Sequence, residues 1–541
     1  MFNFNRAHHV KAKHNFAKSQ NDYAVFLPAI SSIFVKIASM PEYKIRESLP
    51  HGLNSLWDLN FLDENSPFFY YPAGLYSAGH AGLNAQSAYD SEGMIHKRNR
   101  NNTVIIGDSG GFQIATGVLK WPWEQGTMDN ATWNSKKDDV RLKILRWLED
   151  TADYSQVLDF PTSSHMKFDK DPVTGHSLHP GLRSFGDCLR GSLENYDFFI
   201  KNRREGMTKF MNALQGNNQE EGDIWWNAVK DLPFETWSFA NVQASNMAIN
   251  LRRLIIMRDG KYLEGRDWIH YLGTGKIRAA CAITQIQRVL RKHVNPELTL
   301  SFDAASPFVM TAKGQLYKDY ELKPKNMAYK SASMVDDKLL KGNLIHYNDY
   351  LAQTLGSKYR SAIGDSITVG DICVKGFEDL DFKKIEFTKK ELLSKMYAES
   401  NEGKCGDLYR WSPGYVEYLS HHSDNGGLFD YPTPDYAKDE HKYQVKWPSS
   451  MDGLSYVLAM SHNVDMHIHA MHEANHYMDQ PLHIANQYIP HDLLEFKDLV
   501  EDVFTSEKPM AIIDKHKKML KDITGRYESY DLARDFEDLN E

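Results

Sequence analysis

Cysteine is scarce in this chain, with four in 541 residues (Cys188, Cys281, Cys373, Cys405) and no two in a Cys-x-x-Cys spacing. That scarcity excludes a disulfide framework and a cysteine zinc knuckle, and a reducing cytoplasm is the expected home. Long apolar runs are missing too. The nearest, Tyr23 to Ala38, is broken by Pro28, Ser31, Ser32 and Lys36, so no membrane partner is expected. Arg6, Lys11, Lys13 and Lys18 precede it without a cleavage-site pattern, which weighs against a secretion signal. Nor is there an excess of positive charge. A formal net charge of −9 excludes a generally basic nucleic-acid coat, yet leaves room for one basic groove on an acidic body. Finally, no Gly-x-Gly-x-x-Gly follows the first clear strand, which disfavours a dinucleotide-binding sheet.

What the chain does hold is organised around Val104-Ile105-Ile106-Gly107-Asp108-Ser109-Gly110-Gly111-Phe112-Gln113. The β-branched run reads as a buried strand ending on a carboxylate, and the glycine pair turns the chain and admits close backbone approach. Phe112 offers a ring to stack on a flat ligand and Gln113 an amide. Taken alone, the tetrapeptide Asp-Ser-Gly-Gly is as easily a capped turn. Its company gives it weight. Phe68–Tyr71 reads as a strand running into a loop, and Gln156-Val157-Leu158 as a strand ending in Asp159. Lys209–Leu214 ends in Gln215-Gly216, Thr236–Ala240 in Asn241-Val242-Gln243, Trp268–Leu272 in Gly273-Thr274-Gly275, and Leu298–Phe302 in Asp303. Helical spacing follows at 138–150, 197–203, Met247–Met257 and Ala279–His293.

Short apolar strands alternating with helices predict parallel strands with crossover helices. This many units favour an α/β fold of the (β/α)8 TIM-barrel type, with a doubly wound sheet as runner-up. Residues at strand C-termini of such a barrel share one mouth, so Asp108, Asp159, Gln215, Asn241, Gly273 and Asp303 are expected to converge. The expected organisation is an N-terminal extension at 1–60, the barrel at 61–345, and an insertion subdomain at 346–450. A helix closing the barrel follows at 451–480, then a helical tail at 481–541.

These motifs, in this order and with Ala312-Lys313-Gly314-Gln315 just beyond, resemble the tRNA-guanine transglycosylases and their DNA-modifying relatives. The resemblance spans about residues 100 to 320. It implies exchange of guanine in a nucleic acid for a free 7-deazaguanine base, with Asp303 as nucleophile at the sugar's anomeric carbon and Asp108 as the second catalytic carboxylate. It further implies that Asp159, Gln215, Ser109, Gly110, Gly111, Asn241, Val242 and Gly273 bind the base, with Phe112 and Leu272 as its stacking faces. Lys276 and Gln243 are alternatives for touching the 7-substituent. No redox or nucleotide cofactor is implied. The family's Cys-x-Cys-x-x-Cys zinc motif has no counterpart here, and Asn241-Val242-Gln243 departs from its glycine-rich loop. The pattern is therefore more similar to the phage and bacterial DNA-guanine transglycosylases, which insert bases such as 7-cyano-7-deazaguanine (host cytoplasm, for a phage-encoded chain). DNA is the expected partner, tRNA the alternative, and a catalytically inactive nucleic-acid-binding barrel the second alternative; the oligomeric state is open. Trp121 and Trp123, after the first aspartate, are read as packing residues with a wedge in extruded DNA as the alternative.

A competing signal is His472-Glu473-Ala474-Asn475-His476, which fits the His-Glu-x-x-His zinc-protease pattern on a helix. Five histidines lie between 462 and 476, so a chance match is the simpler reading. His469, His472 and His476 are kept as weak metal candidates.

Overall fold

A computed structural model describes residues 22–122, 130–163, 182, 184–376, 379 and 449–525. Trp123, Cys405, most of the expected insertion and the acidic end of the tail lie outside the described residues.

Eight parallel strands form one ring. They are β1 (Val25–Pro28), β2 (Ala73–Ser77), β3 (Val104–Asp108), β4 (Tyr154–Gln156), β5 (Lys209–Leu214), β6 (Thr236–Phe239), β7 (Trp268–Tyr271) and β8 (Thr299–Ala304). Neighbours pair in sequence order from β2 to β8, and β8 returns to β1, with Leu27 opposite Asp303. The ring closes across the remaining seam through a parallel bridge from Ala29 to Leu75 and an Ile30 N–H to Leu75 O bond of 2.9 Å. This is the (β/α)8 barrel, and its strands read as near-continuous apolar runs because both faces are covered. Helices Ser32–Ser39, Asn130–Thr151, Phe185–Asn202, Gln219–Val229, Met247–Asp259, Ile277–His293 and Gly453–Met478 clothe the outside. Short helical turns, Ala85–Ala88 and Gly93–His96, join β2 to β3.

Three expectations are corrected. The segment read as an N-terminal extension contains the first strand of the ring. A four-residue strand buried on both faces has no alternation to betray it, and Pro28 closes it where a helix is expected to be interrupted. Phe68–Tyr71 is not a strand. Its rings pack beneath the barrel instead, Tyr71 donating its hydroxyl to Phe26 O at 2.6 Å, and the strand begins at Ala73. The strand before Asp159 ends at Gln156, and Val157 and Leu158 carry the chain, fully buried, up to the mouth.

The ring's last strand is β8, and the chain leaves the barrel well before residue 346, where the insertion was expected to start. Helix Ser306–Ala312 turns at Gly314 into an antiparallel hairpin, β9 (Gln315–Lys323) and β10 (Asn326–Ser333). The hairpin is stapled to the long helix Gly453–Met478 by the Ser461-His462-Asn463 stretch. Asn463 accepts from Tyr317 N–H at 2.8 Å and donates to Pro307 O at 3.0 Å, while His462 bridges Ser361 Oγ (2.7 Å) and Tyr317 O (2.9 Å). In the tail, helices Leu482–Ala485, His491–Thr505, Pro509–Lys515 and Lys517–Asp522 run back along the barrel. They bring Ile523 and Gly525 to Arg278 and Lys276 at the rim. Among the described residues no helix is long and apolar enough to cross a membrane.

Candidate active site at the barrel mouth

Each expected polar residue sits at or just past the C-terminal end of a strand, and hydrogen bonds and charge interactions link them in series. Asp303, on β8, accepts from the Gly273 N–H after β7 at 2.7 Å. Asp108, on β3, feels the charge of Asp303, and Asp159, after β4, feels that of Asp108. Gln215, after β5, donates its amide to Asp159 Oδ2. Asn241, after β6, donates to Gln215 Oε1 (2.5 Å) and to Thr162 Oγ1 (2.9 Å). The convergence expected from the strand ends is therefore present, from Asp303 through Asp108 and Asp159 to Asn241.

The glycine pair holds this mouth in shape. Gly110 adopts φ +82°, a left-handed turn that a side chain would strain. A Cβ on Gly111 would lie 1.9 Å from the Asp159 carbonyl oxygen, so the close approach this residue permits is to the neighbouring loop. Ser109, fully buried, donates to Val157 O at 3.2 Å and ties the same two loops. Phe112 and Leu272 are half-buried at the rim. Asn241 stands at φ +50°. Asparagine is among the few non-glycine residues that tolerate this region, so it supplies the backbone turn expected of a glycine while its side chain locks Gln215. Val242 follows it, half-buried, in the short helix Asn241–Ser245.

Electrostatics divide the carboxylates. Burial, reinforced by the charge of Asp303, holds Asp108 above the usual carboxylate range, against bonds from Ser77 and the Gly110 N–H that favour its charged form. Burial pushes Asp159 up to about 7, with the Asp108 charge adding to it and the Gln215 amide opposing. A carboxyl raised above its unfolded value is a cost to the ionised folded state, so stability falls as pH rises from about 4 towards 7. Asp159→Asn keeps a partner for Gln215 without the charge. It is expected to raise Tm over the parent at pH 8, the advantage fading towards pH 4.5. The gap in proton affinity bounds the gain at about 4 kcal/mol, and thermal unfolding of both proteins across that range measures it.

Several neighbours were not expected from the sequence. His270, on β7, places Nε2 3.2 Å from Asp303 Oδ1. His80 lies beside Asp108, and its own proton affinity is lowered by burial against the raising effect of that carboxylate. Thr162 and Ser77 complete the polar shell. The signal for His270 was present: a histidine in the otherwise apolar run Trp-Ile-His-Tyr, two residues before the rim.

Other expectations resolve differently. Gln243 is fully buried, its amide pressed so close to Gly222 that a Cβ there would lie 2.0 Å from Nε2. Lys276 donates to Gly525 O in the tail. Trp121 is 9% exposed, edge-on to Phe160 at 5.5 Å with the Arg141 guanidinium over its ring at 5.6 Å, which is the packing reading. The candidate metal histidines do not come together. His472 meets Tyr23 and Tyr71, His469 meets Tyr320 and Tyr359, and His476 turns to Gln480. Among the described residues no group of three His, Cys, Asp or Glu is placed to hold a metal ion. Burial lowers His462 and His472 to about 4 and His467 to about 3, so these rings are neutral packing and hydrogen-bonding groups. Burial likewise raises the Cys281 thiol to about 12 and the Cys373 thiol to about 11, removing both as thiolate nucleophiles at neutral pH. Family models and curated proteins, compared with this chain, give no match.

Proposed function

We propose that this protein exchanges guanine in DNA for a free 7-deazaguanine base through a covalent aspartyl–sugar intermediate. The observation that carries the reading is the trio of carboxylates at one barrel mouth, with Asp108 biased towards holding a proton and Asp303 held by the Gly273 N–H. An N-glycosidic bond breaks with positive charge building on the sugar, which a carboxylate stabilises and then traps. In this reading Asp303 forms the bond to C1′ as the C1′–N bond to guanine breaks, and Asp108 gives its proton to the departing purine. Asp108 then takes the proton of the incoming deazaguanine, whose nitrogen displaces Asp303 with net retention at C1′. Asp159 accepts from the base's N1–H and exocyclic amine, and Gln215 swings off Asp159 to meet O6. One base replaces another, so the exchange consumes neither a reductant nor a nucleotide. In duplex DNA the target nucleotide must first leave the stack, at a cost of a few kcal/mol.

The test is direct. Radiolabelled 7-cyano-7-deazaguanine is incubated with the protein and either duplex DNA or tRNA, and the polymer that gains label is identified. Label in DNA supports the proposal. Label in tRNA alone moves the same chemistry to the other polymer, and label in neither leaves a silent binding barrel.

A further inference from the structure

Beneath Asp303 runs a polar chain buried in the barrel wall. Trp268 Nε1 lies 2.7 Å from Ser301 Oγ, Ser301 Oγ lies 2.8 Å from His270 Nδ1, and His270 Nε2 lies 3.2 Å from Asp303 Oδ1. His270 and Ser301 are wholly excluded from solvent and Trp268 nearly so.

The donors in this chain can be assigned in order. An indole N–H only donates, so Ser301 Oγ accepts from Trp268. The Ser301 hydroxyl hydrogen is then directed at His270 Nδ1, making that nitrogen an acceptor. The single ring proton therefore sits on Nε2, facing Asp303. A doubly protonated ring would point two donors at Ser301 Oγ and strand the hydroxyl hydrogen in a buried group, which costs about 1–3 kcal/mol. Asp303 Oδ1 thus accepts from the Gly273 N–H at 2.7 Å, while His270 Nε2 lies 3.2 Å away but off the line of a hydrogen bond, a buried N–H with no hydrogen-bond partner among the described residues. No described residue donates to Oδ2.

We propose that His270, its tautomer set by Ser301 and Trp268, is a positioning residue whose unpartnered Nε2–H closes onto Asp303 Oδ1 and leaves Oδ2 to attack the sugar. The proposal rests on the base-exchange reading for the attack, though not for the tautomer. Rotation about the last bond of an aspartate is broad and poorly staggered, so one donor leaves the carboxylate free to swing. A second donor closing onto the same oxygen fixes its plane, and orientation of a nucleophile against a bound sugar is a large share of a catalysed rate. The backbone donor survives any side-chain change, which makes the histidine the adjustable half of the clamp.

Three variants test this. His270→Leu removes the donor, His270→Gln places an amide N–H near the position of Nε2, and Ser301→Ala releases the tautomer. In single-turnover reactions with a guanine-containing duplex, His270→Leu is expected to slow formation of the denaturation-resistant protein–DNA adduct by about 10–100-fold, the usual loss when an outer partner of a reactive group is removed. Guanine affinity should hold, and His270→Gln should restore most of the rate. A leucine variant at the parental rate overturns the proposal. So does a glutamine variant as slow as leucine with an unchanged melting transition, since general packing damage would not distinguish them. The tautomer is read without substrate, by nitrogen-15 imidazole NMR with His270 assigned by difference from His270→Gln. A single Nε2–H form that is lost in Ser301→Ala is expected, and an imidazolium or an Nδ1–H form refutes the assignment. If the parent forms no adduct with DNA or tRNA, base exchange falls and the attack with it, while the NMR signal still decides whether His270 presents Nε2–H to Asp303.

Discussion

Asp303→Asn is expected to abolish both the covalent adduct and label incorporation, a loss on the order of 10⁴-fold or more in the rate of exchange. The amide is close in shape, so the Gly273 N–H keeps an oxygen to bond and the barrel should melt at the parental temperature. What disappears is the second oxygen as a nucleophile and the negative charge facing the developing cation. Asp303→Ala should be equally dead. The assay that reads this is an adduct band after denaturation, run beside circular dichroism to show an intact fold. Residual exchange within about tenfold of the parent in either variant would mean that another group forms the bond.

Asp108→Asn should cost about 10²–10⁴-fold, the range for a lost general acid, and its signature is selective rescue. Burial and the Asp303 charge keep Asp108 above the ordinary carboxylate range, which suits it to hold the proton that guanine needs in order to leave. An N7-methylguanine in the DNA already carries positive charge and departs without protonation. With that substrate, adduct formation by Asp108→Asn should approach the parental rate, while normal guanine remains slow. Equal slowness with both bases would assign Asp108 to shape and not to proton transfer. In the parent protein the step should slow as pH rises and Asp108 loses its proton. The Asp159 carboxyl, pushed to about 7, works the other way, because in the base-exchange reading only its charged form can accept at both oxygens from the purine's two donors. Base capture should therefore weaken as pH falls below 7, giving a profile that declines on both sides.

The mouth was legible because parallel strands buried on both faces leave compact apolar runs, and whatever polar residue ends each run must point into the same opening. Asp108, Gln215, Gly273 and Asp303 were found in that way. The rest was hidden for identifiable reasons. β1 is only four residues long and reads as part of a broken apolar run in an N-terminal extension. The partners of the mouth residues lie far along the chain: Thr162 from Asn241, and Ser77 and His80 from Asp108, are brought together by the ring and by no local spacing. Gln243 was misplaced because a helix begins at Asn241 and turns the third residue inward, into Gly222. The His-Glu-x-x-His stretch was a true helix whose histidines serve packing, as their aromatic neighbours attest.

The pairing of Leu27 with Asp303 also governs how the molecule is made. A ribosome releases β1 first, yet the strand that flanks it emerges roughly 275 residues later, about 15–55 s at ordinary elongation speeds. Throughout that interval Val25-Phe26-Leu27 offers an unpaired apolar edge, an invitation to chaperones or to neighbouring nascent chains. The strand that carries Asp303 cannot be flanked on both sides until that wait ends, so the newborn protein completes its barrel mouth only when the two distant ends of the ring have met.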